Sequence, residues 1–520
     1  MPTFAAIDIG SNSCRLKIAK VVAHRLKTLA EDREVTRLGA SVFESGLVSP
    51  EAMALTLRAL KRFQRAAQAH GVDQVRMVAT SAMRDARNGA AFQAWVKAET
   101  GWNLEIISGL EEGRLIHLGV TGAEYGAGGK ALLIDLGGGS CEITLSEHKR
   151  IKETISVPLG AVRLVEDFLP ADPAPAEGLA RMRRWIAKEL RRAHRRIQPG
   201  KVPLAIATSG TAAALSDAYA AGVKLNRAAN KRAGKPADSV PLGIVPTRAV
   251  RKLSTLLAKM TLPEREAVPG IGPRRAEIIV AGAEVYAELM ESFGLAGFRY
   301  SPLGLRDGIL AQMLAEQDAR ATAHVEFERE RWESVLATAR RFGVDPKLAE
   351  PVRAHAVQLF RELKALHQLP VEYESWLAAA AMLRDTGKFI NHQGHHRHTQ
   401  YIVSSSEIYG YGQLQRTVVS AIARYLGKSR PQAGDRALRN IPADQHKNVQ
   451  KAVVLLRLAE ALNQDRASDV LQVAVKVYPK RVYLELQPGR TGAELELWSL
   501  RKEAVYFREV FGRELFPTLA

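Results

Sequence analysis

The sequence predicts an α/β protein, built as two successive α/β units followed by a mostly helical region and a small α+β tail. Three observations lead there. Short apolar runs alternate with amphipathic helical segments as far as residue 300. One strand-to-turn pattern occurs twice, starting at Ala6 and again at Leu133. Beyond Leu303 the alternation gives way to long segments containing alanine and leucine, through Leu462. A chain of 520 residues is also too long for one hydrophobic core.

In chain order, Phe4 to Ile9 reads as an apolar strand and Arg15 to Val22 as its hairpin partner. Pro50 to His70 reads as an amphipathic helix with Leu55, Leu57, Leu60 and Phe63 on and beside one face. The stretch Thr121 to Lys130 ends in Gly126-Ala-Gly-Gly-Lys130 and is the expected boundary between a first domain, 1–125, and a second, 126–302. The second contains basic helices, a loop at Asn226 to Ser239, and an apolar strand at Leu204 to Ala207 before an alanine-rich helix. A helical domain is expected over 303–465. In the tail, 466–520, Val470 to Val477, Arg481 to Leu486 and Glu494 to Leu500 alternate like strands, and Glu503 to Phe511 reads as a closing helix.

Composition narrows the function classes. With 46% hydrophobic and 25% charged residues, the chain is neither disordered nor fibrous. Its two cysteines, Cys14 and Cys141, form neither a CxxC pair nor a disulfide framework, so a reducing cytoplasm is expected, with both thiols as packing groups. The first residues lack a signal-peptide pattern and no apolar run reaches about 18 residues, so no membrane span is expected. The formal charge of +19 favours polyanionic partners: nucleic acid, a nucleotide or phosphate chains.

The repeated pattern says more. Ala6-Ile-Asp-Ile-Gly-Ser-Asn-Ser-Cys-Arg-Leu16 and Leu133-Ile-Asp-Leu-Gly-Gly-Gly-Ser-Cys-Glu-Ile143 share an apolar strand, an Asp, a Gly two residues on, then Ser and Cys in register. Asp8 and Asp135 emerge from strand ends as carboxylates suited to a divalent cation. Ser11, Asn12 and Ser13 in one turn, and Gly137, Gly138, Gly139 and Ser140 in the other, let amides and hydroxyls approach phosphoryl oxygens. Two such turns facing each other make a phosphate clamp; a single copy would be an ordinary glycine-rich hairpin. Ser209-Gly210-Thr211, between strand and helix, is either a third phosphate contact or a plain helix cap. Glu111 and Glu112 follow Ser108-Gly109 and fall in the first turn of a helix.

The two turns resemble the phosphate signatures of the actin-like, sugar kinase and heat-shock ATPase superfamily. Their surroundings resemble the exopolyphosphatase and guanosine pentaphosphatase family: Gly10 to Leu16, Thr80-Ser-Ala-Met-Arg-Asp-Ala86, Ile107-Ser-Gly-Leu-Glu-Glu112, Ile134 to Ser140 with Glu142, Ala207-Thr-Ser-Gly-Thr211 and Gly304-Leu-Arg-Asp-Gly308 fall in the expected order. The resemblance implies two ribonuclease-H-like (actin-like ATPase) domains around an interdomain cleft, then an HD-like helical domain and a small α+β domain. It implies that Glu112 deprotonates the attacking water, that Glu111 is a structural or metal-supporting neighbour, and that Arg84 reaches substrate phosphate. Arg15 either does the same or pairs with a carboxylate. Asp8, Asp135 and Glu142 support the metal, Mg²⁺ or alternatively Mn²⁺, with a monovalent cation as a further requirement, and a homodimer is implied.

Three further features bear on partners. Eight of the residues from Arg181 to Arg196 are Arg or Lys, a positive surface for a phosphate chain or simply a solvated helix. His392, His395, His396 and His398 cluster after Arg384-Asp385. Metal-dependent HD relatives carry a His before that Asp, so an inactive HD-like domain is expected, with His355 and His367 unconvincing as upstream ligands. Val268-Pro-Gly-Ile-Gly-Pro-Arg-Arg-Ala-Glu277 resembles a helix-hairpin-helix turn, but the family places a structural helix start there, so no specific nucleic acid is expected. The expected activity is exopolyphosphatase, release of terminal orthophosphate from inorganic polyphosphate. Guanosine pentaphosphate 5′-phosphatase is the alternative, and a sugar kinase or a nonenzymatic polyanion binder stands further off.

Overall fold

The computed structural model describes residues 1–122, 129–202, 204–232, 243–427, 429–432, 434–464, 470–488 and 492–520. The boundary stretch at Thr121 to Lys130 therefore falls largely outside the described residues. The chain divides into two compact units, Met1–Glu326 and Phe327–Ala520.

Two sheets organise the first unit. One is built from β1 (Thr3–Ile9), β2 (Ser13–Val22), β3 (Arg25–Val35), β4 (Gln74–Ala79) and β5 (Leu104–Ile106), in the order β3-β2-β1-β4-β5. The other contains β6 (Lys130–Leu136), β7 (Cys141–Glu147), β8 (Arg150–Val157), β9 (Leu204–Thr208), β10 (Ile244–Pro246) and β11 (Gly297–Tyr300), in the order β8-β7-β6-β9-β11-β10. In each, the first three strands form an antiparallel meander and the next two join parallel to the first strand. The sequence repeat is thus a repeat of topology. β1 and β6 are buried on both faces, which is why they read as continuous apolar runs rather than alternating ones.

The two halves exchange helices. Gly109–Thr121 follows the first sheet yet packs on β7 and β8 of the second, while Leu305–Gln317 follows the second and packs on β1, β2 and β3 of the first. One apolar cluster, including Phe4, Ala6, Val78, Leu115, Leu133, Ile206 and Ile309, joins both sheets through these helices. Where the helices cross, a Cβ at Gly119 would lie 2.5 Å from the Gly304 carbonyl oxygen, and one at Gly308 1.8 Å from that of Leu115. The backbones touch because neither glycine carries a side chain.

Several local expectations change. Within the motif Thr80 to Ala86, whose residues read as loop-like, Ser81–Asp85 is a short helix. Residues 226–232 of the expected loop continue the helix Ser209–Arg232, and 233–242 lie outside the described residues. Glu494 to Leu500 is no strand but the start of a helix, Glu494–Phe511. Its Glu-Leu-Glu-Leu alternation misleads because Leu495 and Trp498 are exposed while Glu496 is buried, accepting the Gln464 amide at 2.9 Å.

The second unit contains the helices Pro346–Glu362, Tyr373–Leu383, Gln413–Arg424 and His446–Ala461. A three-stranded sheet of β12 (Val473–Val477), β13 (Arg481–Leu486) and β14 (Glu514–Leu519) shares one apolar core with them. The strand β14 had no sequence signal of its own beyond Leu515 and Phe516. Among the described residues, no helix is long and apolar enough to cross a membrane.

Backbone contact at the helix crossing gives a stability prediction. Gly308→Val should destabilise the first unit by about 3 kcal/mol, the upper end of ordinary overpacking. It should appear as a lowered transition temperature in calorimetry, with the second unit's transition unchanged.

Candidate active site

The two turns have the same backbone. In β1 and β2, Ile9 pairs with Cys14 and the Gly10 amide donates to the Ser13 carbonyl at 3.1 Å. In β6 and β7, Leu136 pairs with Cys141 and the Gly137 amide donates to the Ser140 carbonyl at 3.0 Å. Both cysteines are buried beside the turns, as packing groups. Asp8 and Asp135 thus leave their sheets at the carboxyl ends of parallel strands, where open α/β sheets present ligands.

These turns meet. A Cβ at Gly138 would fall 3.0 Å from Ser11 Cβ and 3.1 Å from the Asn12 nitrogen; one at Gly139 would lie 2.6 Å from both Phe43 and Ser81 Oγ and 2.7 Å from Ser11 Oγ. Arg163 crosses the same contact. Its Nε donates to the Gly139 carbonyl at 2.9 Å, its Nη2 reaches Ser81 Oγ at 3.3 Å, and its guanidinium lies 4.0 Å from the Phe43 ring centroid.

Beside the meeting point lies a cleft of about 580 Å³. Its lining brings together Asp8, Ser11, Asn12, Ser13, Arg15, Glu112, Asp135, Gly137, Gly138, Gly139, Ser140, Ser209 and Gly210, residues scattered over 200 positions of sequence. Three expected residues are not in that lining. Thr211 is buried and packs against Gly282, a structural position. Glu142 sits opposite Asp135 in the β6–β7 pair but is buried behind the cleft, accepting from Ser156 Oγ at 2.7 Å. Arg84 also lies behind it and acts through others: Nη1 donates to Glu112 Oε2 and to the Ile107 carbonyl, each at 2.9 Å, and Nη2 donates to Ser140 Oγ at 3.3 Å.

Glu112 lies in the first turn of its helix, as its sequence context predicts; Ser108 caps that turn by accepting the Glu111 amide at 3.1 Å. Glu111 turns the other way, to the fully buried Arg114, whose Nε and Nη2 donate to it at 2.9 and 2.8 Å. Glu111 does not line the cleft. Burial raises the Glu112 carboxyl to about 7 against the pull of Arg84, with the Asp135 and Asp8 charges adding to the rise. Burial likewise raises Asp8, and brings Asp135 to about 6. Glu142 stands well above the usual carboxylate range, through burial and the nearby Glu112 charge.

The opposite wall is arginine. Arg33, Arg274, Arg275 and Arg306 join Arg15 in the lining. Burial, then the neighbouring guanidinium of Arg15, lowers Arg33 to about 10 and Arg275 to about 9, and Arg306 is lowered for the same reasons. Arg33 Nε and Nη2 and Arg275 Nη2 are buried without a hydrogen-bond partner, as are Asp8 Oδ1 and Ser11 Oγ across the cleft. Arg15 donates to Ser13 Oγ at 3.2 Å and, among the described residues, forms no ion pair. A Cβ at Gly210 would meet Arg275 Nη2 at 1.7 Å, so the turn after β9 lies flat against this guanidinium. Ser209 holds a left-handed φ of +71° there, with Oγ donating to the Leu136 carbonyl at 2.7 Å.

The chain matches the Ppx/GppA phosphatase family over residues 17–317 and domain III of that family over residues 330–504. The chain belongs to the Ppx/GppA phosphatase family. Family membership makes it a phosphoanhydride hydrolase. It is similar to Exopolyphosphatase 2 of Mycobacterium tuberculosis strain H37Rv, 34% identical over 320 residues, 59% of this chain and 96% of the relative. It is also similar to the guanosine-5′-triphosphate,3′-diphosphate pyrophosphatase of Pseudoalteromonas atlantica, 26% identical over 81% of this chain and 78% of that one. Among solved structures, an exopolyphosphatase from Cytophaga hutchinsonii aligns with a TM-score of 0.53 at 25% identity, covering 60% of this chain and 98% of that one.

In this family member's second unit, the position before Asp385 is filled. Arg384 is fully buried, with Nε donating to Glu460 at 2.6 Å and Nη1 to the Ala381 carbonyl at 2.7 Å. The His395 and His396 rings lie tilted at 45° with centroids 3.8 Å apart, and burial holds both imidazoles below their ordinary proton affinity. Among the described residues, no group of three or more His, Cys, Asp or Glu is arranged to hold a metal ion in either unit.

The buried carboxylates make a pH-dependent stability prediction. A carboxyl raised from 3.8 to about 6 binds its proton more tightly when folded, so its contribution to stability declines as pH rises through that window. Asp135→Asn should therefore stabilise the first unit by up to about 3 kcal/mol at pH 8 in buffer free of divalent ions. Thermal denaturation should show the gain shrinking by roughly half at pH 5.

Proposed function

We propose that the chain is an exopolyphosphatase, releasing terminal orthophosphate from inorganic polyphosphate. The carrying observation is one cleft with an acidic wall and an arginine wall, each with buried polar atoms lacking partners. Buried guanidinium nitrogens without a partner, as on Arg33 and Arg275, are costly until an anion meets them. A phosphate chain supplies anionic oxygens at close, regular spacing; a neutral acceptor such as a sugar does not.

Water attacks the terminal phosphorus in this reading, the bridging P–O bond breaks, and the attacking water's proton passes to Glu112. Arg84 aims that carboxylate, and the turn amides with Ser11, Asn12, Ser13 and Gly137 to Ser140 orient the terminal phosphoryl group. Arg15, Arg33, Arg275 and Arg306 meet the charge that builds on the remaining chain, with Ser209 and Gly210 at the margin. An all-oxygen donor set at Asp8 and Asp135, backed by Glu142 and with one Asp8 oxygen unpartnered, fits a hard divalent cation such as Mg²⁺ or Mn²⁺. When bound, that ion would neutralise phosphoryl charge and let these carboxylates stay ionised.

The domain reading belongs here as well. The duplicated sheet topology supports two actin-like halves, 1–125 and 126–302, and Arg384 paired with Glu460 supports an HD-like region, 303–465, that has lost its metal, followed by the tail, 466–520. Guanosine pentaphosphate is the second reading, favoured by the pyrophosphatase relative that aligns over 81% of this chain.

Glu112→Gln should lower phosphate release by about 10²- to 10⁴-fold while binding of a phosphate chain stays within a few-fold. With wild type, kcat/KM should rise with pH through about 7, because only the ionised Glu112 accepts a proton. Retained turnover in the variant at saturating substrate rejects the base assignment. Paired assays on polyphosphate and guanosine pentaphosphate should give the larger kcat/KM for polyphosphate; a large preference for the nucleotide reverses the order.

A further inference from the structure

The helix Ala176–Arg196 packs one face into the second half of the first unit, burying Met182, Ile186, Leu190 and Ala193. Its cations divide into two sets. Arg183 pairs with Glu284 at 2.8 Å, Arg196 with Glu153 at 3.2 Å, and Arg192 lies 3.8 Å from Glu189. The other five, Arg181, Arg184, Lys188, Arg191 and Arg195, are all exposed. They follow one another at intervals of three, four, three and four residues. At 100° per residue that spacing confines them to an arc of roughly 80° opposite the buried face. The sequence suggested only a diffuse positive surface, since eight cations cannot share a face; ion pairing removes three and leaves an ordered row.

Among the described residues, none of these five forms an ion pair, although Glu177 lies one turn before Arg181; Lys188 sits over Trp185, 4.9 Å from the ring centroid. The row extends about 21 Å along the helix. None of the five lines the catalytic cleft.

We propose that this row is a second binding site for inorganic polyphosphate, holding a distal stretch of a long chain while its end is hydrolysed in the cleft. The proposal rests on the polyphosphate reading above. Like charges in a straight row repel one another, and a linear polyanion relieves that along its whole length by displacing counterions. The row matches a flexible chain with one charge or more per repeat, which can follow it along its whole length.

The test replaces all five with Gln in the full chain. Relative to wild type, KM for long-chain polyphosphate should rise about tenfold, the summed effect of five exposed charges. kcat/KM on tripolyphosphate, too short to reach the row from the cleft, should stay within about twofold. Raising salt to about 0.5 M should erase the long-chain difference. A companion variant with the four arginines changed to Lys keeps the charge and should behave as wild type, which separates charge loss from damage to the helix. Unchanged long-chain KM in a folded Gln variant overturns the proposal. So does equal loss on tripolyphosphate, or loss of duplex DNA retention with polyphosphate affinity intact. Binding of end-labelled polyphosphate, read by anisotropy without divalent ions, reports on the row directly. If wild type hydrolyses no polyphosphate at all, the catalytic reading fails, and the anisotropy difference between wild type and the Gln variant still decides the row.

Discussion

Everything in the first unit answers to one electrostatic constraint: Glu112 and Glu142 are buried beside the half-buried Asp8 and Asp135, and the charges of these two aspartates add to the rise of Glu112. Four carboxylates so close together and so far withdrawn from water are tolerable only if protonated, paired or facing cations. The chain supplies one of these cations itself, Arg84, placed behind the cleft so that its guanidinium ties Glu112 to Ser140 in the opposite half. The arginine wall is the counterpart of the acidic one. Arg15 and Arg306 already pull on Asp8, yet among the described residues no ion pair joins the two walls, and a multiply charged ligand fits the space between them.

Rigid support for that arrangement comes from the exchanged helices. Glu112 begins the helix that covers the second sheet, and the helix crossing it carries Arg306 at its start and packs on the first. Backbone contact at Gly119 and Gly308 fixes where the glutamate stands relative to both turns. Arg163, bound to the Gly139 carbonyl from one half and resting on Phe43 of the other, does the same at the cleft's rim.

The parts legible in sequence are those whose chemistry is local. Asp, Gly, Ser and Cys in one register announce both turns because the hairpin itself requires them, and Glu112 follows a serine cap that its neighbours spell out. The arginine wall was not legible. Arg33 sits on β3, whose Arg-Leu-Lys-Thr-Leu-Ala-Glu-Asp-Arg-Glu-Val run has no apolar alternation, since it is an edge strand with its charges taken up by partners such as Arg62. Arg275 lay inside a glycine turn that resembled another kind of module, and only the fold brings it against Gly210. Thr211 and Glu142 belonged to the right motifs but point into packing rather than the cleft, a distinction that depends on residues far away in sequence. In the tail, strict alternation gave a strand where a helix stands, because exposed Leu495 and Trp498 imitate a buried face.

The way the turns meet also decides which side chains each copy can carry at its tip. Ser11 and Gly138 occupy the same place in the two copies, and they face each other with no space for a second side chain. A serine at 138, matching the one at 11, would bring its Cβ to 3.0 Å from that of Ser11 and 3.1 Å from the Asn12 nitrogen. The repeat keeps Asp, Gly, Ser and Cys in both copies and gives up its other side chains at 138 and 139, the two positions pressed against the other half. A clamp made of two such bends can close tightly only if one of them is bare.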